Sequence, residues 1–342
     1  MRLLSEAQIS GKRVFVRADL DVPLGSDSSY EAATRLKNLK PTIDLIFKNE
    51  AKKVIIAGHI DRPQKPSPKL STAQLLSPLE NILLRSVAFK PHLETLDDPL
   101  DRSNLSGPLF LMENLRFWPG EVENNLDFAK SLAALADVYV NEAFGNCHRK
   151  HASMVLLPSL MPSYAGIHLQ EEVETLSTLL KTPERPFVAI VGGAKIETKL
   201  PVIDNLSRIA DWVLVGGELP IEIKKRGQEF QNNVVVAKLI EKDVDIDDES
   251  IKRFEEVIGK AKTVIWNGPL GLFEEGYEKG TLAIVQAIIK SRVFSVVGGG
   301  ETTQFLADKN LLSSFSFVSA GGGAMLEFLA GKKLPALETL EV

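Results

Sequence analysis

Short apolar runs return along the whole chain: RVFVRADL, KVIIAGH, PLFLMEN, VYVNEAF, FVAIVGG, WVLVGGE, TVIWNGP, FSVVGGG and FSFVSAGGG. Each apolar core is four to six residues rich in Val, Ile or Phe, and each ends in Gly, Asn, Asp or His. Continuous apolarity at that length predicts strands covered on both faces, as in a parallel sheet. Between them stand longer stretches with apolar residues at helical spacing, such as EEVETLSTLL and TLAIVQAIIKS. Strands alternating with helices predict an α/β fold with doubly wound parallel sheets.

In such sheets ligands bind beyond the carboxyl ends of the strands, so the residues that follow each run carry the chemistry. These tips form two sets. Before about Pro162 they hold Arg, His and Asp; after about Pro186 they hold Gly, Lys and Asn. The Pro-containing stretch between them, with one long helical pattern, predicts a connector joining two Rossmann-like domains, residues 1–165 and 166–332. A length of 342 residues suits two domains.

Composition narrows the reading. With 44% hydrophobic and 25% charged residues the chain has an ordinary globular balance. A net charge of −5 gives no global field for nucleic acid. Charges in MRLLSEAQISGKRV stand where a signal peptide needs an apolar core, and no apolar run reaches the ~20 residues that span a bilayer. A single cysteine, Cys147, suits a reducing compartment. The expectation is a cytoplasmic protein acting on small molecules, without nucleic-acid or membrane partners.

The first-half tips are RADLDVP (Arg17 to Pro23), GHIDRP (Gly58 to Pro63), ENLRF (Glu113 to Phe117) and NEAFGNCHRKHAS (Asn141 to Ser153), with Arg35 in TRLKNLKPTI. His59, Arg62, Arg116 and Arg149 therefore converge on one sheet edge. A guanidinium fork grips phosphate or carboxylate bidentately, which makes a small anionic metabolite the natural guest. Any one of these arginines alone would read as a solvated surface residue; three at successive tips do not. His148 and His151, three apart, could touch a metal, but ligand partners at suitable spacing are wanting beyond Cys147 itself. A structural or phosphate-facing role fits them better. Cys147 lacks a base and an orienting group, as a small apolar residue would.

Three glycine tips follow in the second half: VGGAK (Val191 to Lys195), VGGGETT (Val297 to Thr303) and SAGGGAMLEFL (Ser319 to Leu329). Glycines let backbone N–H groups approach phosphate oxygens at a helix N-terminus. Neither the dinucleotide fingerprint nor the P-loop pattern occurs. No Asp or His is clearly set up as a general base. That suits transfer to an acceptor already ionised, a carboxylate or a terminal phosphate, where positioning and charge neutralisation do the work.

Taken together, RADLDVP, GHIDRP, ENLRFWPGE, NEAFGNCHRKHAS, GGAKIETK, WNGPLGLFE, GGGETT and GGGAMLEFLAGKKLP closely resemble the phosphoglycerate kinase family, in the family's order, from about residue 12 to about 335. The resemblance implies a monomeric glycolytic enzyme that moves the acyl phosphate of 1,3-bisphosphoglycerate reversibly to Mg-ADP, giving 3-phosphoglycerate and ATP. It implies two domains that close by hinge bending, and a tail, residues 333–342, that returns to the first. It assigns Asp19, Asp21, Arg35, His59, Arg62, Arg116 and Arg149 to the phosphoglycerate, with Arg62, Arg116 and Arg149 on its stable phosphate and Arg35 at the reacting carboxyl. Arg35 and Lys195 become the catalytic pair. Gly193, Ala194, Lys195, Lys199, Asn267, Pro269, Glu274, Gly298, Gly299, Gly300, Glu301 and Thr302 become the nucleotide site, with Glu301 also serving Mg²⁺.

The chain departs from the family's pattern at several points. Asp21 stands for an Asn, Glu301 for an Asp, Ala320 for a Thr and Glu218 for a Gly. Some tens of residues are absent after Leu219, in the part that borders the adenosine. Loss of that wall predicts similar use of ATP and GTP. A phosphotransferase with altered nucleotide or acid specificity, or a non-catalytic binding relative, would share most of these motifs.

Overall fold

The computed structural model describes residues 1–22, 30–93 and 108–341, with the side chains of 30–33 excluded. The chain divides into two compact units, Met1–Val173 with Lys333–Val342, and Glu174–Lys332.

The first unit holds a six-stranded sheet of β1 (Arg13–Arg17), β2 (Lys53–Ala57), β3 (Ala88–Lys90), β4 (Leu109–Met112), β5 (Val138–Asn141) and β6 (Ser163–Ala165). Its order is β3-β4-β2-β1-β5-β6, and every pairing is parallel. Consecutive residues Val14, Phe15 and Val16 are all fully buried, as helices on both faces require. Because the strands are parallel, the four Arg-, His- and Asp-bearing tips share one edge, and they follow four adjacent strands, β4, β2, β1 and β5.

The second unit holds β7 (Phe187–Val191), β8 (Trp212–Val215), β9 (Val234–Val236), β10 (Thr263–Asn267), β11 (Phe294–Gly298) and β12 (Phe317–Ser319). All pairings are again parallel, in the order β12-β11-β10-β7-β8-β9. Read from β9, this is the 3-2-1-4-5-6 order of the Rossmann fold, which binds nucleotides where the winding reverses. That point lies between β7 and β10. The tips of these two strands are VGGAK and NGPLGLFE.

Three strands escape the sequence pattern: β3, β6 and β9. Each is three residues long and each lies at a sheet edge. An edge strand is covered on fewer sides and needs no long apolar run, so periodicity does not announce it.

The division between the units falls inside the helix Ile167–Lys181, whereas the sequence put the whole helix with the second domain. Its first turn is tied to the first unit. Thr42 Oγ1 accepts from the Ile167 N–H at 2.8 Å, and the buried Glu142 carboxyl accepts from His168 and Leu169 at 3.1 and 3.0 Å. These oxygens satisfy the orphan donors of the helix start. The segment from Lys333 is counted with the first unit: the Ala336 N–H donates to the Cys147 carbonyl, and Arg2 donates to Leu340.

Candidate functional site

The β1 tip begins with a residue that the sequence reading passed over. Arg17 ends β1 and is fully buried. Its Nε donates to Ser153 Oγ at 2.9 Å, and Ser153 donates in turn to the buried Glu121 carboxylate through both its hydroxyl (2.6 Å) and its backbone N–H (2.9 Å). Arg17 Nη2 lies 2.8 Å from His59 Nδ1. A guanidinium has no lone pair to offer, so Nδ1 is the acceptor and the imidazole proton sits on Nε2. Burial, together with the charges of Arg17, Arg116, His151 and Arg149, pushes the His59 pKa well down. His59 is therefore neutral, with its lone pair already engaged.

The other predicted residues gather around it. His59 Nε2 faces Asp21 Oδ2 at 3.8 Å, and Asp21 Oδ1 accepts from the Asp61 N–H at 2.8 Å. Arg35 Nη1 donates to the Asp21 carbonyl at 2.9 Å and lies 3.5 Å from Asp19. Arg116 Nη1 donates to the Asp61 carbonyl at 2.6 Å, while its buried Nε finds no hydrogen-bond partner among the described residues. Burial lowers the Arg116 pKa; Asp21 opposes this, and the like charges of Arg17, Arg149 and Arg62 add to it. Arg62 and Arg149 make no side-chain hydrogen bond or ion pair among the described residues. The edge is thus a cluster of guanidinium groups with free donors, an anion site. His151 packs edge-on to His59, and burial pushes its pKa down to about 3. Neither histidine is a competent base at neutral pH.

At the second unit's switch point the backbones of the β7 and β10 tips touch. Gly193 donates to the Pro269 carbonyl at 2.8 Å and Gly192 to the Asn267 carbonyl at 2.9 Å. A Cβ at Gly192 or Gly268 would collide with the other tip's backbone, and Gly268 has φ +97°. Only glycine satisfies both conditions. Lys195 caps the helix Ile196–Ser207 and is exposed, with no side-chain partner among the described residues. Lys199, one turn further on, is buried and donates to Asn267 Oδ1. Burial brings its pKa down to about 8, partly offset by the charge of Glu301. The two lysines, alike in sequence, therefore stand in opposite environments.

Gly298 ends β11, Gly299 caps the helix Gly300–Asp308 with φ +99°, and Glu301 lies exposed in its first turn. Thr302 is buried. Its hydroxyl accepts the Gly268 N–H at 2.9 Å, so it braces the β10 tip from within. A cavity of about 120 Å³ is lined by Gly193, Ala194, Pro269, Glu274 and Glu301, among others. Asn267 is buried against Met325 and the lysine. Among the described residues no three His, Cys, Asp or Glu side chains assemble as a metal cage.

The comparisons with known proteins agree with this geometry. The family model described as Phosphoglycerate kinase matches residues 4–243 and 222–332. The phosphoglycerate kinase of Leptospira biflexa is 35% identical over 388 positions, covering 99% of this chain and 98% of the relative. That of Aquifex aeolicus is 34% identical over 392 positions with the same coverage. The solved phosphoglycerate kinase of Coxiella burnetii superposes with a TM-score of 0.82 at 31% identity, over 99% of this chain and 98% of that one. The Leptospira alignment is 388 positions long against 342 residues here, so at least 46 positions of the relative have no counterpart. The two stretches matched by the family model overlap over residues 222–243. On sequence and on fold alike, the chain belongs to the phosphoglycerate kinase family.

Proposed function

We propose that the chain transfers a phosphoryl group reversibly between a nucleoside triphosphate and the carboxylate of 3-phosphoglycerate. The observation that carries this reading is a strongly cationic edge whose two histidines are no bases at neutral pH and whose carboxylates are already engaged, Asp19 by Arg35 and Asp21 by the Asp61 N–H. The His59 lone pair is taken by Arg17, and His151 is pushed down to about 3. An alcohol acceptor would need a proton removed; a carboxylate would not.

In this reading Arg62, Arg116 and Arg149 hold the stable phosphate, and the unpartnered Arg116 Nε is one donor awaiting it. Asp19 and Asp21 fix the arginines and the loop. Arg35 stands at the reacting carboxylate, whose oxygen forms a new bond to the γ-phosphorus. The bond from that phosphorus to the nucleoside diphosphate breaks, and its electron pair stays on the diphosphate oxygen. Lys195, free and exposed, neutralises the moving phosphoryl group. Lys199, the N–H groups at Gly193 and Ala194, and the helix starting at Gly300 hold the remaining phosphates. Glu274 faces the nucleotide from the β10 tip. Mg²⁺ is usually bound by one or two carboxylates plus substrate phosphates, and of the carboxylates on the cavity Glu301, in the first turn of the helix Gly300–Asp308, would hold it. The ion would neutralise phosphate charge. Transfer needs acid and nucleotide in contact, so turnover needs both units.

The test is a coupled assay with Mg-ATP and a panel of acids. 3-Phosphoglycerate should support turnover, and glycerate, which lacks the phosphate that the arginines hold, should be used about a hundredfold less efficiently. Turnover with another acid and none with 3-phosphoglycerate would favour altered acid specificity instead.

Asp21 gives a second expectation. Asn keeps an oxygen for the Asp61 N–H and removes a negative charge beside an anionic guest. Asp21→Asn should lower the Michaelis constant for 3-phosphoglycerate severalfold, most clearly at low salt. An unchanged or raised constant would mean that Arg116 and Arg35 already cancel the Asp21 charge.

A further inference from the structure

The cationic edge contains one guanidinium that is closed to any guest. Arg17 is fully buried, and each of its three nitrogens is committed within the protein: Nε to Ser153 Oγ at 2.9 Å, Nη1 to the Ala18 carbonyl at 2.5 Å and Nη2 to His59 Nδ1 at 2.8 Å. A charge is buried at high cost unless it is paired and hydrogen-bonded. Its counter-charge is the buried Glu121 carboxylate, reached through the Ser153 hydroxyl. Such an arrangement is weak evidence for stability, because desolvation offsets the attraction. What the guanidinium does fix is the ring beside it.

The backbone around His59 is tied on both sides. The Ala18 N–H donates to the Ala57 carbonyl at 2.9 Å, and the Leu115 N–H to the Gly58 carbonyl at 2.9 Å. The β1 and β2 tips lie so close that a Cβ on Gly58 would stand 2.8 Å from the Ala18 oxygen. His151 packs edge-on to the ring, with centroids 6.1 Å apart. Among the described residues Arg17 is the only group hydrogen-bonded to the imidazole, so it alone selects the tautomer. With Nδ1 accepting, the ring proton sits on Nε2. Nε2 faces Asp21 Oδ2 at 3.8 Å, beyond hydrogen-bond reach, so this donor is uncommitted among the described residues. The other tautomer would turn a lone pair to the same place, where it would repel an anionic guest.

Resting on the function proposed above, we propose that Arg17 is a positioning residue for the acid: by holding Nδ1 it presents the His59 Nε2–H as a fixed donor to 3-phosphoglycerate. Nitrogen NMR of the imidazole in the ligand-free full chain reads the tautomer directly and needs no turnover. The parent should show the Nε2–H form alone at pH 7, and Arg17→Met should lose that preference. Arg17→Met should also bind 3-phosphoglycerate roughly tenfold more weakly, the scale of one hydrogen bond to a charged group, with Mg-nucleotide binding unchanged. Combining it with His59→Ala separates this from loss of the Arg17 charge. The double variant should bind the acid no more weakly than His59→Ala alone, because Arg17 acts through the ring. A parent ring protonated on Nδ1 would overturn the inference, even if Arg17→Met does not fold. So would an Arg17→Met ring that keeps the parent tautomer, or a double variant weaker than His59→Ala by the same factor, which would mean that the charge acts on the guest directly. A parent chain that binds no 3-phosphoglycerate would contradict the proposed function itself, and the NMR would still decide the tautomer.

Discussion

Arg35→Ala is expected to lower turnover about a thousandfold, the scale seen for arginines that stabilise phosphoryl transfer. Arg35 lies on the helix Tyr30–Lys48, and its guanidinium is aimed by the Asp21 carbonyl and by Asp19. Those two contacts hold the guanidinium at the tip, where the reacting carboxylate is proposed to bind. Negative charge built up on the transferring group is met by guanidinium, so neutralisation carries the catalysis. The fold should barely notice the change, because a partly exposed ion pair contributes at most ~1 kcal/mol. Binding of the nucleotide, on the other unit, should be unchanged. A variant that keeps more than about a tenth of the parent's turnover would remove Arg35 from this role.

Lys199→Met should do two opposite things. Lys199 is buried, and its pKa in the fold is about 8 against an ordinary 10.5. Between these values the unfolded chain holds the proton and the folded chain does not, so this group's contribution to stability rises with pH across that window. Below pH 8 the charged ammonium is buried at full cost. Methionine removes that cost and forfeits the bond to Asn267, so the variant should be more stable at pH 7 by about 1–3 kcal/mol. Mg-nucleotide binding should weaken about a hundredfold, because a charge-assisted phosphate contact is lost. Denaturant titrations from pH 7 to 10 read the first effect. The gain should shrink as pH rises, and a variant less stable at pH 7 would show that burial does not hold this lysine down. Stability given up at a binding residue is a usual pattern in enzymes.

Much of this was legible in the sequence because the chemistry sits at the ends of strands. Apolar runs marked the central strands, and the parallel winding then put Arg62, Arg116, Arg149 and His59 on one edge and Gly193, Asn267 and Glu301 on another. Other features stayed hidden, for physical reasons. Arg17 reads as the polar end of a strand, and only the folded contacts with Ser153 and Glu121 show that it is buried and sets the His59 tautomer. Lys195 and Lys199 look equivalent four residues apart, but one caps the helix while the other turns inward. Thr302 reads as a phosphate ligand, and only the fold shows that its hydroxyl also braces the β10 tip by accepting the Gly268 N–H. The substitution at Glu218 was visible as a departure. Its place beside Gly193, whose carbonyl accepts the Glu218 N–H, needed the folded path of the chain, which no local pattern encodes.

The most direct test of the central claim is to trap the acyl phosphate. ATP, Mg²⁺ and 3-phosphoglycerate are incubated with the purified chain and hydroxylamine, which attacks an acyl phosphate to give a hydroxamate and free phosphate. The account predicts 3-phosphoglyceryl hydroxamate formed one for one with ADP, with neither product when 3-phosphoglycerate is left out. ADP released without hydroxamate would show that the phosphoryl group goes to water or to another acceptor, and would contradict it.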